Sequence, residues 1–230
     1  MNIGIIGYGK MGKEVEKMAI KKGHQIIYKI NSKNQHILSE RNTPKVDVAI
    51  EFSQPDSACK NINLCINNKT PVVCGTTGWA NHISKVEKLC LQKNSTFLYA
   101  PNFSIGMNLF FEISNYMSKL MMGKNYNPLI EEKHHKMKQD IPSGTAIKIA
   151  HDIYENYKTI HQTQKTPIKS KRIGKLKGEH IVKYISDIDE IKISHKAYNR
   201  RGFAEGAILA AEFIKNKKGV FRMTDVISNL

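Results

Sequence analysis

The chain opens MNIGIIGYGKMG, an apolar run that closes on Gly7, Gly9 and Gly12 just before a helical stretch begins. No other feature restricts the fold as much. A GxGxxG between a strand and a helix serves a backbone that must turn tightly and leave amide N–H groups uncovered at the helix start. Those N–H groups suit a pyrophosphate. The helix that follows, KMGKEVEKMAIKKG, sets Val15, Met18 and Ala19 on one face and stops at Gly23. Gly7, Tyr8, Gly9, Lys10, Met11 and Gly12 are therefore candidate dinucleotide-binding residues.

Strand and helix signals keep alternating as far as Asn102. HQIIYKIN, VDVAIEFS, TPVVCGTTG and STFLYAPNF read as strands, and the runs Asp56 to Ile66 and Trp79 to Gln92 as helices. Each parallel connection needs a crossover, so this alternation predicts a parallel sheet covered by helices. Ligands of open α/β sheets bind at the carboxyl ends of the strands. Two further loops belong to that edge, one with Gly75, Thr76 and Thr77 and one with Ala100, Pro101, Asn102 and Phe103. An acidic residue about 20 positions beyond the glycine loop would hold the adenine ribose of NADH. Asn31 ends the second strand instead; it hydrogen-bonds without repelling a 2′-phosphate, which Lys10 and Lys33 attract. Both NADPH and NADH stay open as cofactors.

Beyond Asn102 the pattern changes. A long apolar helix from Ser104 to about Met122 precedes a strand near Pro128 to Lys133, and a helix runs from about Thr145 to Tyr157. TIHQTQKTPIKSKRIGKLKG is polar, basic and non-periodic, and reads as a mobile loop. EHIVKYI and DEIKISHKA suggest an antiparallel pair across Ser186 to Asp189. A helix from Arg201 to about Asn216 and the segment GVFRMTDVI complete the chain.

Charge narrows the partners. The formal net charge is +16, yet the basic residues are scattered and mostly lysine, with no Arg-rich block or RNP-type aromatic motif. That argues against nucleic acid and suits anionic small molecules. No apolar run reaches the ~20 residues that span a bilayer. Cys59, Cys65, Cys74 and Cys90 form no CxxC pair, so neither a zinc ribbon nor a disulfide framework is expected; the expected metal is none and the expected location cytoplasmic.

The chemistry concentrates in EEKHHKMKQDIPSGTA, Glu131 to Ala146. His134 and Lys138, at i and i+4, share a face in either regular conformation, and His135 turns elsewhere if the segment is extended. Pro142 steers Ile141 away from helical geometry, and Ser143-Gly144-Thr145 caps the next helix. A helix start with free N–H groups and hydroxyls is a ready carboxylate site. Proton donors, a cation and an anion cradle thus lie within one reach.

This segment resembles the signature E-x-H-H-x-x-K-x-D-x-P-S-G-T-A of the bacterial dihydrodipicolinate reductase family, matching it from Glu132 through Ala146. The resemblance extends to the GxGxxG, to Glu51-Phe52-Ser53, GTTG and APNFSIGMN, and in the tail to GEH, SHKA and FAEGA. It covers nearly the whole chain. It implies the α/β class, with a Rossmann-type dinucleotide-binding domain (1–103 plus 203–230) and a smaller α+β substrate and tetramerisation domain (104–202). It implies hydride transfer from NADPH or NADH to a cyclic unsaturated dicarboxylate, in the diaminopimelate route of lysine biosynthesis, by a homotetramer. Carried over by position, His134 and Lys138 are the proton donors, and His135, Ser143, Gly144 and Thr145 meet the substrate. The glycine loop, Asn31, Gly75 to Thr77 and Ala100 to Phe103 meet the cofactor. Asn31 stands where many members carry an acid.

Overall fold

The computed structural model describes residues 1–40, 42–160, 165–174 and 176–230. The chain divides into two compact units, Met1–Asn108 with Arg200–Leu230, and Leu109–Asn199.

The first unit holds strands β1 (Asn2–Ile6), β2 (Gln25–Ile30), β3 (Val48–Glu51), β4 (Val72–Cys74) and β5 (Thr96–Tyr99). Helices α1 (Lys10–Lys21), α2 (Pro55–Asn67) and α3 (Ile83–Gln92) connect them, and α4 (Ile105–Met121) begins in this unit. From the chain's end come α6 (Arg201–Ile214), β10 (Gly219–Phe221) and α7 (Met223–Ile227). The six strands pair in the order β10-β5-β4-β3-β1-β2, and every pairing is parallel. The order reverses at β1, with β2 on one side and β3 on the other. The glycine loop therefore leaves the sheet at its topological switch point, where such sheets bind ligands.

Period-two alternation explains the two cores. Ile3, Ile5, Val48, Ile50, Val73 and Leu98 face one side, packed with Val15 and Ala19 of α1 and Ala204, Ala207, Ala211 and Ile214 of α6. Ile6, Ile30, Ala49, Val72 and Phe97 face the other, with Ile62 and Ile66 of α2 and Val86 of α3. The small residues of α6 permit close approach: a Cβ on Gly206 would lie 1.8 Å from the Phe103 carbonyl oxygen.

The second unit pairs β7 (Ile168–Arg172), β6 (Asn127–His134), β8 (Glu179–Ile185) and β9 (Glu190–Lys196) in that order. β6–β7 is parallel, and the other two pairings are antiparallel. α5 (Gly144–Lys158) packs on β6 and meets α4 through Asn156, whose Nδ2 donates to Asn115 Oδ1 at 2.7 Å. β7 departs from the sequence reading, in which this basic stretch is a loop. KSKR shows no apolar alternation because β7 is an edge strand with none of its residues fully buried. Residues 161–164 and 175 of that stretch lie outside the described residues. No helix among the described residues is long and apolar enough to cross a membrane.

Candidate active site

At the carboxyl edge of the first sheet, a cleft of about 590 Å³ is lined by Gly7, Tyr8, Gly9, Asn31, Ser53 and Asn61, among others. A second, of about 500 Å³, is lined by Gly9, Lys10, Met11, Gly75, Thr76 and Thr77. Gly9, Phe52, Ser53 and Gln54 belong to both, so the two adjoin. The glycines differ in what they permit. Gly7 has φ +94 and a Cβ there would meet the Phe52 carbonyl oxygen at 2.1 Å; one on Gly12 would meet the Gly7 oxygen at 2.3 Å. Those two are required by the turn itself. A Cβ on Gly9 meets nothing within 4 Å and would stand in the cleft. Open space over a helix N-terminus is what a pyrophosphate needs, so these residues fit a dinucleotide.

Buried Glu51 ties the edge together. Its carboxylate accepts from the Ser53 N–H at 3.1 Å, from the Ser53 hydroxyl, and from Cys74 Sγ at 3.1 Å. Ser53 N–H also reaches Thr76 Oγ1 at 2.8 Å, linking the β3 and β4 loops. Asn31 is held in a local turn: its N–H donates to Asn34 Oδ1 at 2.7 Å, and its Oδ1 accepts from the Lys33 N–H at 2.8 Å. The fourth loop behaves differently. Ala100 and Phe103 bury their side chains, Asn102 Oδ1 accepts from the Ser104 N–H at 2.9 Å, and none of the three residues lines either cleft. Pro101 is exposed but lines neither cleft.

On the second unit the surprise is a polar row across the buried face of the sheet. Ile130, Glu132 and His134 are the buried positions of β6. Register places Glu132 opposite Ser170 on one side and His180 on the other, with His195 beyond His180; His134 lies opposite Arg172. Glu132 accepts from the Ser143 N–H at 3.1 and 3.2 Å and from Arg172 at 3.3 Å. Its Oε2 lies 3.4 Å from His134 Nδ1 and 3.8 Å from His180 Nε2. The cation on this carboxylate is the Arg172 guanidinium.

These neighbours set protonation. Burial presses His134 below the ordinary imidazole range; Glu132 and Asp140 oppose that, and the charges of Lys138 and Arg172 reinforce it. Burial lowers His180 to about 3, helped by the charges of His134, His195 and Lys138 and opposed by Glu132. Burial alone would raise Glu132, but the donors of Ser143 and Ser170 and the charge of His134 together outweigh it and bring the carboxyl below its ordinary range.

After His134 the chain is neither helix nor strand. A turn at Lys136–Met137 closes with the Lys138 N–H on the His135 carbonyl at 3.1 Å, and folds Lys138 back into the electrostatic reach of His134. Lys138 Nζ is gripped by Asp140 at 2.7 and 2.9 Å. His135 is half-buried just past the strand. Ser143 is turned inward: its hydroxyl caps α5 by accepting from the Ala146 N–H and meets His180 Nε2, both at 3.3 Å. Gly144 is exposed and Thr145 half-buried, so these two carry the open part of the helix start. Glu132, Arg172 and His180 are the members that sequence reasoning gave no role. The available signal was Glu132 at i−2 from His134, which puts two ionisable groups on one face of a strand.

Known proteins bear on these two sites. A family model described as "Dihydrodipicolinate reductase, N-terminus" matches residues 1–103, and one described as "Dihydrodipicolinate reductase, C-terminus" matches residues 106–227. The 4-hydroxy-tetrahydrodipicolinate reductase of Christiangramia forsetii is 42% identical over 100% of this chain and 99% of its own. That of Wigglesworthia glossinidia brevipalpis is 35% identical over 96% of this chain and 90% of its own. In fold, a dipicolinate-bound dihydrodipicolinate reductase from Paenisporosarcina sp. TG-14 superposes with a TM-score of 0.78 at 22% identity, covering 96% of this chain and 97% of that one. Matched along almost its entire length, the chain belongs to the dihydrodipicolinate reductase family.

Proposed function

We propose that the protein is an oxidoreductase reducing 4-hydroxy-tetrahydrodipicolinate (dihydrodipicolinate) to tetrahydrodipicolinate with NAD(P)H, in the diaminopimelate route of lysine biosynthesis. The observation that carries this reading is family membership over both halves of the chain. The reduced nicotinamide, when bound, supplies the hydride. The glycine loop, Asn31 and the Gly75–Thr77 loop hold the dinucleotide on the first unit, with the Ala100–Phe103 loop contributing backbone and Pro101. On the second unit, His135, Gly144 and Thr145 surround the dicarboxylate, with Ser143 buried beneath them as the cap of α5, and the exposed N-terminal end of that helix favours an anion.

Hydride addition to a ring conjugated to an imine leaves electron density that must be protonated. Lys138, an ammonium beside Asp140, stabilises that density and carries the proton; His134, held neutral by burial, relays it. Purified protein should oxidise NADPH or NADH only after freshly made dihydrodipicolinate is added. Silence with both cofactors would refute the reading.

The cleft geometry yields a separate expectation. Gly9→Ala should lower the melting temperature by no more than a few degrees, because the added Cβ meets no protein atom within 4 Å, while weakening NADPH about tenfold by occupying pyrophosphate space. Fluorescence titration checks it; undiminished affinity would remove Gly9 from the site.

A homotetramer in the cytoplasm completes the proposal. Leu109, Ile113, Tyr116 and Leu120 form an exposed apolar stripe at helical spacing on α4, suited to self-association, and all four cysteines are unpaired. A monomeric mass in sedimentation at micromolar concentration would exclude the tetramer.

A further inference from the structure

We infer that Glu132 is a positioning residue: its one buried carboxylate ties the His134 imidazole to the start of α5 and so fixes the proton relay relative to the anion cradle. This rests on the function proposed above.

Four observations lead here. The first is cost. Glu132 has no exposed side-chain surface and continues a buried strand face that begins at Ile130. An aliphatic residue would continue that face without removing a charge from water, which costs several kcal/mol before compensation. The fold does not need a carboxylate there. The second is connectivity. One carboxylate meets the backbone N–H of Ser143, the residue that caps α5, and also faces His134 Nδ1 at 3.4 Å. Strand and helix start are thereby held in one register across the irregular stretch His135–Pro142.

The third is an unmatched atom. His134 Nδ1 is buried and makes no full hydrogen bond, yet Glu132 Oε2 stands 3.4 Å from it. Buried polar nitrogens are nearly always paired, and one facing a carboxylate carries its hydrogen on that side. The other ring nitrogen, Nε2, lies beside Gly178, where a Cβ would come within 3.2 Å of it. A bare glycine leaves that nitrogen clear. The arrangement parallels the carboxylate that orients a catalytic imidazole in hydrolase triads, where the acid sets tautomer and direction without taking the proton. The fourth is the clamp on Glu132 itself. Arg172 reaches it at 3.3 Å and also donates to the carbonyls of Lys138 and Asp140, so the same guanidinium braces the loop carrying Lys138.

The groups facing His134 are Glu132 on its own strand, Arg172 on β7, His180 on β8, and Lys138 and Asp140 in the following loop. Glu132→Gln keeps the volume and one acceptor for Ser143 but removes the charge. Arg172→Gln does the opposite, leaving the carboxylate uncompensated.

Both variants are compared with wild type for kcat, KM and pH profile, and His134 is titrated by NMR of its ring protons. Glu132→Gln should lower kcat about 10- to 100-fold, leave the KM for NADPH within about twofold, and move the His134 titration to lower pH. Arg172→Gln should move that titration to higher pH. Unchanged kcat and an unmoved His134 titration in Glu132→Gln would overturn the inference. So would shifts of the same sign in both variants, the result of general loosening. If Glu132→Gln does not fold, Glu132→Asp stands in its place: drawing the carboxylate back should move the His134 titration to lower pH, and an unmoved titration overturns the inference. The titration needs no turnover. If wild type proves inactive on dihydrodipicolinate, the functional reading fails, and the titration still tests the Glu132–His134 link.

Discussion

Lys138→Ala should cut turnover about 100- to 1,000-fold while leaving NADPH affinity intact, the range expected when a positioned proton donor is lost. The backbone makes this a clean experiment. The Lys138 N–H closes the turn onto His135, and its carbonyl accepts from Arg172 Nε at 3.3 Å. Neither contact involves the ammonium, so the loop keeps its course when the side chain is cut. Asp140 loses its partner, but it is exposed and water replaces the ammonium. Lys138→Arg separates charge from proton delivery, because a guanidinium holds charge but does not release its proton at accessible pH. If Lys138 delivers the proton, arginine should stay at least about tenfold below wild type. Turnover within about threefold of wild type in Lys138→Ala would remove Lys138 from the mechanism.

The second large effect is on stability in acid. His180 has a folded-state pKa of about 3, against about 6.5 for an unfolded imidazole. Between those values the unfolded chain binds one proton more than the native protein. Stability due to this group is therefore complete above about pH 6.5 and is lost as pH falls toward 3, at up to about 1.4 kcal/mol per pH unit. From pH 6.5 to 4.5 that amounts to roughly 2–3 kcal/mol from His180 alone. His134 and His195, also pressed down by burial, add to it with the same sign. The groups facing His180 are Glu132, His134, His195, Lys138 and the Ser143 hydroxyl; of these only Glu132 favours its charged form. Urea unfolding of wild type and His180→Asn at several pH values should show a steep acid loss in the first and a shallower one in the second. Superimposable pH dependences would show that His180 does not titrate as its burial demands.

Much of this architecture could be read from the chain. The strand–glycine–helix opening placed β1 and α1, and alternating apolar runs placed the other parallel strands, because buried strands and amphipathic helices leave periodic marks. The long helices and the antiparallel β8–β9 pair after Asn102 follow for the same reason. What escaped notice lacked such a mark. β7 is basic and edge-placed, so its pairing with β6 comes from backbone hydrogen bonds that leave no side-chain pattern. The row Ser170–Glu132–His180–His195 is assembled by register between strands distant in sequence, which no local window contains. His134 and Lys138 were paired by an i, i+4 rule, whereas a turn brings them together. Ser143 reads as a ligand-facing hydroxyl until Glu132 and His180 are seen to engage it from within.

The parallel sheet of the first unit ends with a strand made from Gly219–Phe221, and one of its faces is roofed by Arg201–Ile214. Both arrive after the whole of the second unit has been synthesised. Synthesis of the first unit is thus interrupted by the whole of the second, and Ile50 and Leu98 lack their cover of Ala207, Ala211 and Ile214 until α6 has followed. One face of that sheet therefore waits for α6 as its clasp.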